Sequence, residues 1–407
     1  MNTIIIKDGK EKQLLNHHPW VFSGAIEEVK ATSASVVKVL TADLSFLAWG
    51  WYDELSHIPV HLLSWNEEEI IDESWWSRTI KKSILRRKEF FNDKSGATNA
   101  FRIVFSESDM LAGITADVYG KMIRIIISAR IAWDHKDLFA KAIEDLLHPD
   151  VIVITTDKLY TKIEGLKETT LFFKDGEYFT PDGKMDNVFF KEDDFIFEVA
   201  PGSGQKSGFY CDQRDNRKRI EKYCEGATVL DGCSYTGAFT LHALRAGAKS
   251  VLALDSSDPS LRQLLRNVHI NQNSNKIPEN SRDKVTTKVC NIFEELRVIE
   301  SDYFDVIILD PPKLAKKKSQ VETASRAYKD MNRLAMKKIK DGGIIATFSC
   351  SGGVDLALLR TILAWAAMDS NVEIQILETL TAASDHPVRL SFPESDYLCG
   401  YIIKVIK

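Results

Sequence analysis

The chain of 407 residues contains no pair of cysteines at C-x-x-C spacing and no Cys/His group at the spacing of a zinc site. Its six cysteines, Cys211, Cys224, Cys233, Cys290, Cys350 and Cys399, do not make a disulfide framework in a chain of this size; thiols in a reducing compartment fit better. No stretch is apolar over the roughly 20 residues that a membrane span requires. The N-terminal MNTIIIKDGKEKQLL offers only a three-isoleucine run, too short for a signal-peptide core. Positive charge is not in excess: the net charge of −5 excludes a generally basic nucleic-acid coat, though not a local basic cleft. Internal repeats and low-complexity tracts are absent. These absences describe a soluble, cytoplasmic protein with no metal-ligand signature.

What is present is length and apolar content. A chain of 407 residues exceeds one ordinary core, so two or three domains are expected. Residues 1–70 hold short β-like runs, TIIIK, SVVKVL, SFLAWGWY and IPVHLL, which read as a small β-rich module. The segment ESWWSRTIKKSILRRKEFF reads as one amphipathic helix. Trp75, Trp76, Ile80, Ile84 and Leu85 share its apolar face; Lys81, Lys82, Arg86, Arg87 and Lys88 form a basic side, either solvated or in contact with RNA. Residues 101–200 alternate strands with one helix near 134–147, and NVFFKEDDFIFEVAP reads as a hairpin.

From about residue 205 strands and helices alternate regularly. ATVLDG, SVLALDS, KVTTKVC, FDVIILD and GIIATFSC predict a parallel sheet covered on both faces. NVEIQILETL and YLCGYIIKVIK, with no helix between them, predict an antiparallel hairpin at the sheet edge. In such a sheet ligands lie beyond the C-terminal strand ends. The first end is LDGCSYTGAFTLHALRAG, where Asp231 closes a strand and Gly232 and Gly237 bracket a tight turn; it is not a G-x-G-x-x-G dinucleotide fingerprint. The second ends in Asp255, placed either to accept both ribose hydroxyls of an adenosine or to cap the helix near 259–271. The fourth ends in ILDPPKLAKKK. Asp310 is followed by Pro311 and Pro312, which hold the loop extended and suit it to a flat ring. The fifth ends in Cys350, between two serines.

Asp231 to Phe239, Asp255, DPPK at 310–313 and SCS at 349–351 resemble the ordered motifs of a class I S-adenosylmethionine methyltransferase. GQKSGFYCDQRDNR, HPWVFSGAI and DHPVRLSFPESDYLCGYIIKV narrow the resemblance to the large-subunit ribosomal RNA cytosine-5 methyltransferases, over nearly the whole chain. The resemblance implies an α/β architecture in three parts: an N-terminal PUA-like RNA-binding barrel (1–70), a central α+β domain (71–200) and a Rossmann-like methyltransferase domain (201–407). It also implies ribosomal RNA of the 23S type as partner and a homodimer.

Carried over by residue, Asp231, Gly232, Tyr235, Gly237 and Phe239 would lie along the methionine part of S-adenosylmethionine, and Asp255 would bind ribose. Phe209, Asp212 and Arg214 would lie near the amino-acid end, Asp212 doubling as a helix N-cap. Asn291 stands where an aspartate often receives the adenine amino group; its carbonyl oxygen can still accept. Pro311, Pro312 and Lys313 would meet the target base or its phosphate. Cys350 would add as a thiolate to carbon 6 of a cytosine, activating carbon 5, while Asp310, beside both cofactor and base, would hydrogen-bond the base edge or stabilise charge at N3. The DPPKLA loop lacks the second cysteine of many RNA cytosine-5 methyltransferases, which leaves the base for the C5 proton unassigned. Of the other cysteines, Cys233 reads as cofactor lining, Cys290 as a strand end near adenine, and Cys211, Cys224 and Cys399 as packing. Methylation of a guanine or adenine nitrogen, which needs no thiol, a small-molecule methyltransferase and a non-catalytic RNA-binding factor remain open.

Overall fold

The computed structural model describes residues 2–202, 208–315 and 317–407, so residues 204–207 of the GQKSGFYCDQRDNR motif and Lys316 lie outside it. The chain divides into two compact units. The first comprises residues 1–191, 198–209 and 385–395; the second comprises residues 192–197, 210–384 and 396–407.

The first unit contains two sheets with separate cores. Six strands pair in the order Trp20–Val21, Val60–Ser64, Phe46–Tyr52, Ser35–Leu40, Thr3–Ile6 and Ile26–Lys30. Their alternating pattern turns Ile4, Ile6, Val37, Val39 and Leu62 into one core. A second six-stranded sheet runs Glu177–Phe179, Thr170–Lys174, Val151–Thr156, Met122–Ile127, Ile114–Tyr119 and Ala100–Phe105. Helices Glu73–Leu85 and Lys136–Leu147 pack on its core of isoleucines and aromatics.

The helix expected over 73–91 is broken. It starts on Asp72, whose side chain caps Trp75 N, and ends at Leu85; a separate short helix covers Lys88–Phe91. Trp75, Trp76, Ile80 and Ile84 are buried as expected, but Leu85 is exposed. The reason lies in the basic side. Arg87 is neither solvated nor available to RNA: it is buried, donating to Asp109 Oδ1 at 2.7 Å and to the carbonyl of Asp385 at 3.2 Å. Removing one partner of such a pair leaves a buried carboxylate under-compensated, so Arg87→Ala should cost about 3 kcal/mol and lower the urea midpoint of the full chain.

Residues 385–395 belong to the first unit through specific bonds. Asp385 Oδ2 accepts from Arg102 N at 2.8 Å, Arg389 donates to the carbonyls of Glu107 and His17 at 2.9 and 3.1 Å, and Phe392 packs edge-on against Trp20. The stretch between the final two strands is therefore a strap built into the first unit. The hairpin Val188–Glu192 and Phe195–Val199 lies where the chain first passes between units, with Asp193 and Asp194 in the left-handed region at its turn.

The second unit is a seven-stranded sheet. Its strands are β1 (Thr228–Gly232), β2 (Ser250–Asp255), β3 (Val285–Val289), β4 (Phe304–Leu309), β5 (Ile339–Ser349), β6 (Glu373–Thr381) and β7 (Cys399–Ile406), in the order β3-β2-β1-β4-β5-β7-β6. Strands β1 to β5 are parallel, and β7 is antiparallel to both β5 and β6. Near-continuous apolar runs such as FDVIIL follow from helices covering both faces. The hairpin predicted from the end of the sequence is present; β6 forms the edge, and β7 is inserted between its neighbours. Among the described residues, no helix is long and apolar enough to cross a membrane.

Candidate active site

The strand order reverses between β1 and β4, and the residues singled out from sequence collect at the C-terminal ends of these strands and their neighbours. After β1 the backbone turns through left-handed conformations at Cys233, Tyr235 and Gly237 before helix Ala238–Arg245 begins. Gly237 has φ +85°, and a Cβ there would come within 2.3 Å of Leu264, so no other residue fits without displacement. The turn is held by neighbouring β2. Cys233 N and Ser234 N donate to the carbonyl of Leu254 at 2.9 and 2.8 Å, and Tyr235 N donates to Asp255 Oδ2 at 2.9 Å. Non-glycine residues in such a conformation store strain that these bonds sustain.

Asp255 is not a helix cap. Ser257 caps helix Asp258–Asn273, while Asp255 accepts from Tyr235 N and, through Oδ1, from Ser257 N at 2.8 Å. The carboxylate thus ties the β1 turn to the β2 end. Asn291 does act as a cap: its side-chain oxygen accepts from Phe293 N at 2.9 Å, leaving that oxygen one lone pair. Asp231 is buried; Oδ2 accepts from Thr240 Oγ1 at 2.7 Å, and burial pushes its carboxyl up to about 6.

Asp212 does not cap the helix it precedes either, since Gln213 occupies the N-cap of Arg214–Ile220. Its backbone carbonyl accepts from Ala383 N at 2.8 Å and its Oδ2 from the Tyr397 hydroxyl, so the residues flanking the 385–395 strap both hold Asp212. Arg214 is buried, with Nε 3.6 Å from Asp215. Phe209 falls at the end of a segment of the first unit, where it packs against Phe190 and its carbonyl accepts from Tyr119. Phe239 is buried beneath the turn, with the Phe348 ring beside it and the Arg217 guanidinium over its face, so it supports the turn.

Asp310 and Cys350 stand one residue beyond adjacent parallel strands, with Leu309 of β4 in register with Thr347 of β5. Cys350 Sγ lies 3.6 Å from the carbonyl of Pro311. Pro311 is buried, Pro312 exposed and Lys313 half-buried. The serines flanking Cys350 are buried and structural. Ser351 Oγ accepts from Ala315 N at 3.0 Å, which fastens the far end of the Asp-Pro-Pro loop to the β5 terminus, and Ser349 Oγ accepts from Ser351 N at 3.3 Å.

Asp310 is the most perturbed acid of the site. Burial, then the neighbouring Asp212 carboxylate, pushes its carboxyl up to about 7, against the opposing pull of Gln213 and Arg217. Gln213 Nε2 donates to Asp310 Oδ1 at 2.9 Å. Tyr210 gathers the site electrostatically. Burial raises its phenol first, and Tyr235, Asp212, Cys350 and Asp310 all add to the rise. Burial likewise raises the thiols of Cys224 and Cys399 to about 12, and lifts Cys233 and Cys290. Cys211, Cys224 and Cys399 are buried, as packing requires.

Gln213, Tyr397 and Ser351 were missed as site residues in sequence. Each lies inside a quoted motif, but its partner is far along the chain. Asp193, Glu221 and His242 also converge, yet Arg245 bonds both carboxylates, so that cluster already holds its cation.

The polar atoms left over test the fit of a sulfonium cofactor with an amino-acid tail. Asp212 Oδ1, Asp231 Oδ1 and Ser234 Oγ are buried without a hydrogen-bond partner among the described residues. Orphaned carboxylate oxygens are costly unless a donor or a cation meets them. An ammonium and a sulfonium supply both, so the residues fit the group.

A family model described as a PUA-like domain matches residues 4–65, and one described as an S-adenosylmethionine-dependent methyltransferase matches residues 180–374. The chain is 36% identical to ribosomal RNA large subunit methyltransferase I of Pseudoalteromonas atlantica over 408 residues, covering 99% of both chains. It is also 36% identical to that of Aeromonas hydrophila over 405 residues, again covering 99% of both. A Streptococcus mutans structure assigned to the SAM-dependent methyltransferases superposes with a TM-score of 0.81 at 18% identity, covering 99% of this chain and 100% of that one, which shows a shared fold. The chain is therefore an S-adenosylmethionine-dependent methyltransferase and belongs to the ribosomal RNA large subunit methyltransferase I family.

Proposed function

We propose that the protein methylates carbon 5 of a cytosine in large-subunit ribosomal RNA, through a covalent adduct between Cys350 and carbon 6. The observation that carries this reading is the pairing of a thiol and a buried acid at adjacent strand ends, Cys350 against the Pro311 carbonyl and Asp310 with its carboxyl pushed up to about 7. The relatives' names supply the class of RNA.

S-adenosylmethionine, when bound, supplies an electrophilic methyl group for carbon 5. Asp255 would hold the ribose hydroxyls, Asp212, Asp231 and Arg214 the amino-acid end, Asn291 the adenine edge, and the turn through Gly232, Tyr235 and Gly237 the methionine chain. Cys350 forms the S–C6 bond as a thiolate. The displaced π electrons pass through C4 to N3, which takes the proton of Asp310 and leaves its carboxylate. Once carbon 5 carries the methyl group, its own proton leaves to solvent, the C5–C6 double bond re-forms and Cys350 departs as a thiolate. The N3 proton then returns to Asp310. Pro311 and Pro312 hold the extruded ring, and Lys313 neutralises a nearby phosphate. The PUA-like domain binds flanking RNA, and the protein acts in the cytoplasm, as a homodimer.

Nucleoside mass analysis of ribosomal RNA from cells lacking the protein tests this directly. Loss of one 5-methylcytosine from large-subunit RNA is the expected result. An unchanged cytosine map, or loss of a methylated purine, refutes it.

A further inference from the structure

Asp310 can donate its proton usefully only if the proton resides on the oxygen that faces the base. Asp310 Oδ1 accepts from Gln213 Nε2 at 2.9 Å, and no described residue bonds to Oδ2. A primary amide can turn over and present either end. Here it cannot do so without loss, because Gln213 Oε1 accepts from Asn216 Nδ2 at 2.7 Å. Asn216 is fixed in turn, since its Nδ2 also donates to the carbonyl of Thr381 at 2.9 Å, at the end of β6. Gln213 and Asn216 are both 2% exposed, so water does not compete for these bonds.

We propose that Gln213 and Asn216 are positioning residues that determine which oxygen of Asp310 carries the proton: with Oδ1 permanently accepting from Gln213, the proton sits on Oδ2 and is presented to N3 of the target cytosine. The inference rests on the reading of the reaction given above and deepens it. The relay is one-directional. Thr381 O and Gln213 Oε1 receive the two hydrogens of Asn216, Gln213 gives one of its own to Oδ1, and each bond sets the sense of the next. The charged groups that act on Asp310 include Asp212, Asp231 and Arg217, and Cys233 and Tyr210 feel its charge in turn.

The test uses the full chain, labelled S-adenosylmethionine and an unmodified transcript of large-subunit ribosomal RNA, with kcat followed against pH. Gln213→Leu should lower kcat about tenfold with KM for RNA unchanged, because a bond specific to the reacting acid is lost. It should also move the alkaline fall in kcat upward by about one pH unit, since the lost donor favoured the carboxylate. Asn216→Ala frees the Gln213 amide to turn its oxygen to Oδ1, drawing the proton away from the base. It should shift kcat and the alkaline fall in the same directions, and the double variant should be no worse than Gln213→Leu alone. If Gln213→Leu does not fold, Asn216→Ala and Gln213→Glu carry the test, the latter raising the alkaline fall further through like-charge repulsion. Wild-type kcat and pH profile in these variants, with 5-methylcytosine as the product, overturn the inference alone. A wild-type product other than 5-methylcytosine overturns the underlying reading and the inference with it.

Discussion

Cys350→Ala should abolish methyl transfer to ribosomal RNA, lowering kcat by roughly four to six orders of magnitude, the scale seen when a covalent nucleophile is removed. Carbon 5 of cytosine has no lone pair, and without the S–C6 bond nothing raises its electron density. The substitution should leave the scaffold intact. Cys350 lies beyond the end of β5, and the loop is fastened by Ser351 Oγ and Ala315 N rather than by the thiol. Binding of S-adenosylhomocysteine, measured by calorimetry, should therefore be unchanged. Full transfer by the Ala variant would sink the covalent mechanism and favour a purine nitrogen as the acceptor. A second readout is direct: wild-type protein should form a covalent complex with RNA carrying 5-fluorocytosine at the target, because fluorine blocks the elimination step, and Cys350→Ala should form none.

Asp310→Ala should lower kcat by about 10²- to 10⁴-fold, the usual worth of a general acid. Asp310→Asn is the sharper experiment. The carboxyl is pushed up to about 7, so in the wild type it carries its proton below that pH and loses it above. Activity that depends on the proton is present on the acidic side and falls as pH rises through 7. In the Asn variant, Oδ1 still accepts from Gln213 and the amide nitrogen stands at the Oδ2 position, donating at every pH. The alkaline fall should vanish while part of the rate survives. An Asn variant that keeps the fall would show that another group titrates there.

Much of this site was legible because the decisive signals are local. A strand that ends in Asp231 and runs into a glycine turn, and a strand that ends in Asp-Pro-Pro, declare themselves within a few residues. The fold followed from the same local regularity, including the antiparallel pair at the end of the chain. What could not be read was any partnership across the chain. Gln213 and Asp310 are 97 positions apart, and nothing near Gln213 marks it as a donor to a strand end it has not yet met. The helix over 73–91 looked continuous because periodicity sees only its own side chains; it breaks where Arg87 reaches Asp109 and the carbonyl of Asp385, 298 positions away. At Asp255 and Asp212 the helix-cap role went to the neighbours Ser257 and Gln213, while Asp255 accepts from Tyr235 N as well as Ser257 N and Asp212 from the Tyr397 hydroxyl.

The position of β7 bears on how the protein comes into being. Of the seven strands it is synthesised after all the others, yet it sits between β5 and β6 with its backbone paired on both sides. Until it leaves the ribosome, the nascent sheet exposes an unpaired edge on β5, and β6 has no strand to join. The residues that flank the strap, Ala383 and Tyr397, both bond to Asp212. A growing chain thus lacks the Tyr397 bond to Asp212 until its last strand has been made. The same order makes the waiting intermediate the aggregation-prone species, so loss of β7 by truncation or nonsense mutation should yield inclusion bodies rather than a weakened enzyme.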